Sequence, residues 1–248
     1  MCKKLFLFDV DGTIAKSGEN ILSQHITSLN LAKINNDIGI VGGGTFEKIK
    51  EQTAGVKFDY YFSECGSVYH DSNLNLVYKK NIRNHSLYPI INILIKKTLN
   101  YLSQVDYELT GNFIDLRNGL IYISLIGLSA NPSEREHFIN IDKIYNYKIK
   151  LLDILHQCAI ELEVSDKLSI VLGGSVGIAI YPTENDKIQV LSHINSNKYS
   201  EIHYFGDKYL PDGNDYQLLN APNIIGHEID DINETYNILH IRTIKDVT

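Results

Sequence analysis

The sequence predicts an α/β protein, a doubly wound, Rossmann-like parallel sheet with an inserted α+β module. Three observations carry this. The apolar run Leu5-Phe6-Leu7-Phe8 reads as a strand buried on both faces, as parallel strands are. A second run, Ile202-His203-Tyr204-Phe205, also ends in a carboxylate-bearing turn. Strand-like and helix-like stretches alternate to about residue 80 and again from about residue 183, whereas the chain between them carries a hairpin signal and long amphipathic helices. The expected organisation is a discontinuous core, 1–80 plus 183–248, with an inserted domain at 81–182.

The elements follow in order. After the first strand a polar loop, Ala15 to Asn20, leads to a helix with the stripe Leu22, Ile26, Leu29 and Ala32. Ile38 to Val41 is a short strand ending in Gly42-Gly43-Gly44-Thr45, where glycines let backbone N–H groups approach a phosphate. Phe58 to Phe62 is the next strand. Residues 85–103 make an amphipathic helix through Leu87, Ile91, Leu94, Thr98 and Leu102. Strand-like runs at 107–116 and 120–126 flank Arg117-Asn118-Gly119, and Asn-Gly between such runs signals a hairpin. A helix over roughly 142–163 carries Tyr145, Ile149, Leu152, Cys158, Ala159 and Leu162. Leu168 to Leu172 and Val176 to Tyr181 flank Gly173-Gly174. Asp186-Lys187 opens a helix, 202–206 is a strand, Asn223 to Ile229 another, and residues 231–240 a final helix.

The two strand ends carry the chemistry. Asp9 and Asp11 stand one residue apart before Gly12-Thr13, and strand alternation aims both the same way, toward the edge where open α/β sheets bind ligands. A turn needs only one Asp and no fully apolar strand before it. The second end supplies Asp207 and then Asn214-Asp215 within GDKYLPDGND. Converging carboxylates repel unless a cation intervenes, and Mg²⁺ takes oxygen ligands with phosphate completing its shell.

A net charge of −7 does not favour nucleic acid as a partner. No apolar stretch reaches the roughly twenty residues of a membrane span, and the immediate strand leaves no room for a signal peptide. Cys2, Cys65 and Cys158, without CxxC spacing, read as reduced thiols in a cytoplasmic protein.

Several segments together resemble the eukaryotic-type phosphomannomutases, a cap-bearing branch of the haloacid dehalogenase superfamily. They are FDVDGT, IGIVGGGTFEKIKEQ, RNG at 117–119, SEREHF at 133–138, GG at 173–174, NDK at 185–187 and GDKYLPDGND, nearly the full length and in the family's order. The resemblance implies interconversion of mannose 6-phosphate and mannose 1-phosphate, supplying GDP-mannose, with a hexose 1,6-bisphosphate as intermediate and activator. It implies Asp9 as the nucleophile that becomes an aspartyl phosphate, Asp11 as general acid/base, and Lys187 offsetting charge at the nucleophile. Mg²⁺ would sit on Asp9, the Asp11 carbonyl and Asp207, with Asp215 beside them. Gly43, Gly44 and Thr45 would cradle the transferring phosphoryl group. Arg117, Asn118 and Arg135, with Gly173 and Gly174, would hold the sugar phosphate from a cap that closes over it. The family's habit of dimerising through the cap implies a homodimer, for which Phe113 and Ile114 are suited.

The sequence departs from the family in its substrate contacts. Leu128 replaces a cap arginine, Gly177 and Ala179 replace a Ser and an Asp, and Gly18 stands where a loop arginine is expected. Gly44 displaces the phosphate-binding hydroxyl or moves it to Thr45, and Cys65 replaces an Asn. A sugar-phosphate phosphatase of altered specificity, or a catalytically impaired binding relative, therefore stands beside the mutase as an alternative.

Overall fold

The computed structural model describes residues 3–211 and 213–244; Cys2 and Asp212 of the GDKYLPDGND stretch lie outside them. The chain divides into two compact units, Met1–Lys80 with Asn185–Thr248, and Asn81–Glu184.

In the first unit the elements run β1 (Lys3–Phe8), α1 (Ser23–Ala32), β2 (Asp37–Val41), α2 (Phe46–Gln52), β3 (Tyr60–Ser63), β4 (Val68–Asp71) and β5 (Leu76–Lys79). Strands from the second segment join the same sheet, giving the order β11-β10-β1-β2-β3-β4-β5, with β10 at Tyr199–Gly206 and β11 at Ile225–Glu228. The five strands from β11 to β3 are parallel, and β4 and β5 add an antiparallel hairpin edge that the sequence reading did not foresee.

Strand β1 is central because both its faces are apolar. Phe6 and Phe8 pack with α1 (Leu29, Ala32) and with α7 (Ile232–Ile244) through Tyr236 and Leu239. Leu5 and Leu7 pack on the opposite face with Val190, Leu218 and Leu219, the last two from α6 (Tyr216–Leu219). Each such buried side chain contributes about 1.5–3 kcal/mol. With helices on both faces, ligand-binding side chains have one outlet, the carboxyl edge of the strands.

The second unit packs α3 (Tyr88–Leu102), α4 (Pro132–Tyr145) and α5 (Tyr147–Glu161) with a sheet of order β6-β7-β9-β8. Its strands are β6 (Ile114–Leu116), β7 (Ile121–Ser124), β8 (Leu168–Gly173) and β9 (Gly177–Pro182), all antiparallel neighbours. Ile121, Ile123, Ile170, Ile178 and Ile180 enter one core with Leu94 of α3, Phe138 of α4 and Leu151 and Leu155 of α5.

Two sequence expectations need correcting here. The helix expected over 142–163 is broken at Asn146, which sits in the left-handed region at φ 56. Asn tolerates that conformation through its short polar side chain, so α4 ends there and α5 begins at Tyr147. The buried stripe of α5 is accordingly Tyr147, Leu151, Leu155, Cys158 and Ala159, while Ile149 is exposed. The run 107–116 supplies a strand only at Ile114–Leu116, although the hairpin turn closes with Arg117 N–H donating to Leu120 O at 3.0 Å.

Candidate active site

Backbone pairing carries the first chain segment one residue past β1: Asp9 N–H donates to Phe205 O at 2.9 Å. There the extended run stops, because the amides of Ile14 and Ala15 turn back to Val10 O. Alternation therefore does not reach Asp11, and the two aspartates diverge. Asp9 is 6% exposed and faces inward. Asp11 turns to another set of partners. Gly12, between Asp11 and Thr13, holds φ +89, and a Cβ on it would lie 2.5 Å from Asp207 Oδ2. Only glycine lets the two strand ends close on each other here.

The pivot is Lys187, whose side chain is fully buried. It belongs to the 3-10 segment Lys187–His193, a tighter winding than the α-helix expected there, with Asp186 capping it by accepting from Ile188 N–H at 3.3 Å. Lys187 Nζ donates to Asp9 Oδ1 at 2.5 Å and to Asp215 Oδ1 at 2.6 Å. Tyr204 also donates its hydroxyl to Asp215 Oδ1, and Lys208 N–H donates to Asp215 Oδ2 at 3.0 Å. Lys208 Nζ meets Asp207. Burial works against the Lys187 ammonium, but the Asp215 and Asp9 carboxylates outweigh it and hold the lysine charged. Burial pushes Asp9 up to about 8, opposed by Lys187 and reinforced by Asp215 and Asp207. Asp207 is likewise raised, first by burial.

The group is short of positive charge. Oxygens of Asp9, Asp207 and Asp215 lie within 4.8 Å of one another. Thr13 Oγ1 and Asn214 Oδ1 are buried without a hydrogen-bond partner. An all-oxygen donor set with a charge deficit fits a hard divalent cation. The Asp11 carboxylate is not part of this group.

Asp11 is held by three donors: Gly18 N–H at 2.8 Å, Gln52 Nε2 at 2.9 Å and Lys48 Nζ at 3.4 Å. Burial would raise its carboxyl, but Lys48, Gly18 and Gln52 together lower it below the ordinary value. Lys48 and Gln52 were not singled out from sequence. Their i, i+4 spacing on α2 was the available signal, since it puts both side chains on one helix face.

The glycine loop lies beside Asp9's neighbours. A Cβ on Gly43 would come 3.9 Å from Cys65 Sγ and 4.0 Å from Asn214 Nδ2. Thr45 is the N-cap of α2 and accepts from Lys48 N–H at 3.4 Å, which leaves its own O–H to donate outward. Cys65 and Cys158 are buried free thiols. Burial pushes Cys65 up to about 12, so it stays protonated.

In the second unit, Arg117 Nε donates to Asp115 Oδ2 at 2.7 Å, and its guanidinium lies 4.8 Å from the centroid of Tyr122. Asn118 accepts Ile82 N–H at its carbonyl. Arg135 directs Nε to Ala130 O at 2.9 Å and Nη2 to Leu128 O at 3.0 Å, clasping the loop before α4. Gly173 ends β8, its carbonyl accepting from Tyr122 O–H at 2.8 Å, and Gly174 follows at φ +62.

The family profile described as Eukaryotic phosphomannomutase matches residues 26–244. A phosphomannomutase of Saccharomyces cerevisiae is 33% identical over 244 residues, covering 95% of this chain and 92% of its own. One of Arabidopsis thaliana is 32% identical over 233 residues, covering 92% of each. The chain belongs to the eukaryotic phosphomannomutase family. Solved structures share the fold of this phosphomannomutase relative at low identity. The C-terminal domain of C. albicans trehalose-6-phosphate phosphatase matches with TM-score 0.63 at 12% identity, over 98% of this chain and 93% of that one. A haloacid dehalogenase-like hydrolase from Bacteroides thetaiotaomicron matches with TM-score 0.60 at 13% identity, over 99% and 100%. Among the described residues no helix is long and apolar enough to cross a membrane.

Proposed function

We propose that this protein is a phosphomannomutase that interconverts mannose 6-phosphate and mannose 1-phosphate through an aspartyl phosphate on Asp9 and a hexose 1,6-bisphosphate. The observation that carries the reading is the buried Asp9 carboxylate, held at 2.5 Å by a fully buried ammonium and backed by Asp207 and Asp215. Such a group is oriented and desolvated, as a nucleophile at phosphorus needs to be.

An Asp9 oxygen attacks phosphorus of the bisphosphate, the bond to the sugar oxygen breaks, and Asp11 gives that oxygen a proton. In reverse sense, a sugar hydroxyl attacks the aspartyl phosphate and loses its proton to Asp11. Lys187 keeps the nucleophile's charge balanced, and Tyr204 and Lys208 N–H fix Asp215 so that Lys187 has one position. Gln52, Lys48 and Gly18 N–H orient the Asp11 carboxylate. Thr45 O–H and the amides around Gly43 and Gly44 receive the phosphoryl oxygens. Asp9, Asp207 and the Asp11 carbonyl would hold Mg²⁺, with Asp215 beside them; the ion supplies charge neutralisation on the transferring group. The second unit supplies recognition of the sugar phosphate through Arg117, Asn118, Gly173 and Gly174, with Arg135 holding the loop at Leu128. In the same reading the enzyme is cytoplasmic, feeds GDP-mannose formation and forms a homodimer using Phe113 and Ile114.

The test is turnover of mannose 1-phosphate with Mg²⁺, with and without a hexose 1,6-bisphosphate primer, following mannose 6-phosphate and inorganic phosphate separately. Primer-dependent formation of mannose 6-phosphate is expected. Release of phosphate alone makes the protein a sugar-phosphate phosphatase, and no turnover with any sugar phosphate overturns the catalytic reading.

A further inference from the structure

The first unit carries a cavity of about 480 Å³ at the carboxyl end of α2. Small-molecule sites occupy about 300–1,000 Å³. Two turns line it. One runs from Thr53 to Lys57 through Gly55 at φ +93, and the other from Ser72 to Leu74, where Leu74 holds φ 64. The phosphate loop meets the opposite end of α2, at Thr45, so about 10 Å of helix lies between the two places. None of Asp9, Asp11, Asp207 or Asp215 lines the cavity.

Its lining combines two chemistries. Ala54, Val56, Leu74 and Tyr61 supply apolar surface, and the Tyr61 hydroxyl accepts Phe58 N–H at 3.0 Å, which fixes the ring as an aromatic wall. Lys50 and Lys57 line the same space, and no carboxylate does, although the chain as a whole carries −7. Neither ammonium has an ion-pair or hydrogen-bond partner among the described residues, and neither does the Ser72 hydroxyl. Acids on the adjoining segments are committed elsewhere. Asp71 accepts from Asn73 N–H at 2.8 Å and from Asn75 N–H at 2.9 Å, and Asp59 pairs with Lys33 at 3.0 Å.

Two like charges sharing one cavity are relieved by an anion. A phosphate group supplies nearly two negative charges and three acceptor oxygens, enough for both ammoniums and the hydroxyl. The apolar walls require that the rest of the molecule be apolar too, since a sugar would bury its hydroxyls against Val56 and Leu74 without partners.

We propose that this cavity is a second binding site, for a small organic phosphate whose body is aromatic or aliphatic rather than a sugar. Binding here does not depend on the phosphomannomutase reading.

Phenylphosphonate is a suitable probe, because it has no ester bond to cleave and is a dianion at mildly alkaline pH. Titrated into the full-length protein and followed by backbone amide NMR, it is expected to shift residues 53–57 and 72–74 with a Kd below about 1 mM. Lys50→Ala combined with Lys57→Ala, both at exposed positions, is expected to weaken that binding about tenfold. Inorganic phosphate is expected to bind there at least about tenfold more weakly than the probe, because it leaves the apolar wall uncovered. Shifts confined to the phosphate loop at 42–45 place the probe at the catalytic group and overturn the proposal. So does an absence of shifts at 53–57 and 72–74 up to about 10 mM probe. An affinity unchanged in the double lysine variant, or inorganic phosphate binding as tightly as phenylphosphonate, overturns it equally.

Discussion

Replacing Lys187 by methionine removes an ammonium that contacts both Asp9 and Asp215 while keeping most of the side-chain volume. Its Nζ lies 2.5 and 2.6 Å from their Oδ1 atoms, and the lysine and Asp215 side chains are fully buried. Deleting the ammonium leaves the Asp215 carboxylate buried without its counter-charge, at about 3–5 kcal/mol. Equilibrium urea unfolding near pH 7, at unchanged m-value, should show a loss of that size. The pH dependence gives a second readout. Asp9 is already raised to about 8 by burial, with Lys187 the group that opposes the rise. A carboxyl raised in the folded state lowers stability as pH climbs from its unfolded value to its folded one. In the wild type that fall levels off above about pH 8; in the variant Asp9 is raised further, so the fall continues to higher pH. The deficit should therefore be larger at about pH 9 than at about pH 6. A variant within about 1 kcal/mol of wild type, or a deficit that shrinks toward high pH, would refute the assignment of Lys187 as counter-charge.

Gln52→Leu and Lys48→Met each remove a donor that holds Asp11 low, so the acidic limb of the kcat/KM profile should move to higher pH; an unmoved limb would count against Asp11 as the titrating group. Millimolar Mg²⁺ added to metal-stripped protein should raise the melting temperature, because a ligand that binds only the folded state stabilises it, and EDTA should abolish turnover; full activity in EDTA would contradict the carboxylate site. Gly177→Ser should destabilise by about 1–3 kcal/mol rather than rebuild a substrate contact, because its Cβ meets Ile123 O and the Tyr122 ring; a well-folded Ser variant with lowered KM would show that the ring moves aside.

Much was legible in the linear chain wherever a local signal and its consequence coincide. The unbroken apolar run at 5–8 announced a strand with two buried faces, and so a sheet covered by helices on both sides. The matching run at 202–205 announced its partner, and parallel register brings Phe8 opposite Phe205, which is why Asp9 and Asp207 emerge together. The Asn-Gly turn marked the β6–β7 hairpin. Helix phase was less readable. The left-handed turn at Asn146 resets the stripe between α4 and α5, and no hydrophobic periodicity reports a backbone conformation.

What only the tertiary structure decided is which polar groups meet. Asp9 and Asp11 look like a pair in sequence, yet the chain turns after β1, so one faces Lys187 and the other faces Gln52 and Lys48. Lys187 is 178 residues from Asp9, and nothing local distinguishes it from a solvated surface lysine. Arg135 looks free to bind phosphate in sequence, and folding aims two of its nitrogens at the carbonyls of Leu128 and Ala130. Gly177 looks like a lost contact, and folding shows that the space is filled by Tyr122. Apolar patterning is additive along the chain and survives reading one stretch at a time. Hydrogen bonds and ion pairs are directional and short-ranged, so their partners are set by the last ångströms of packing.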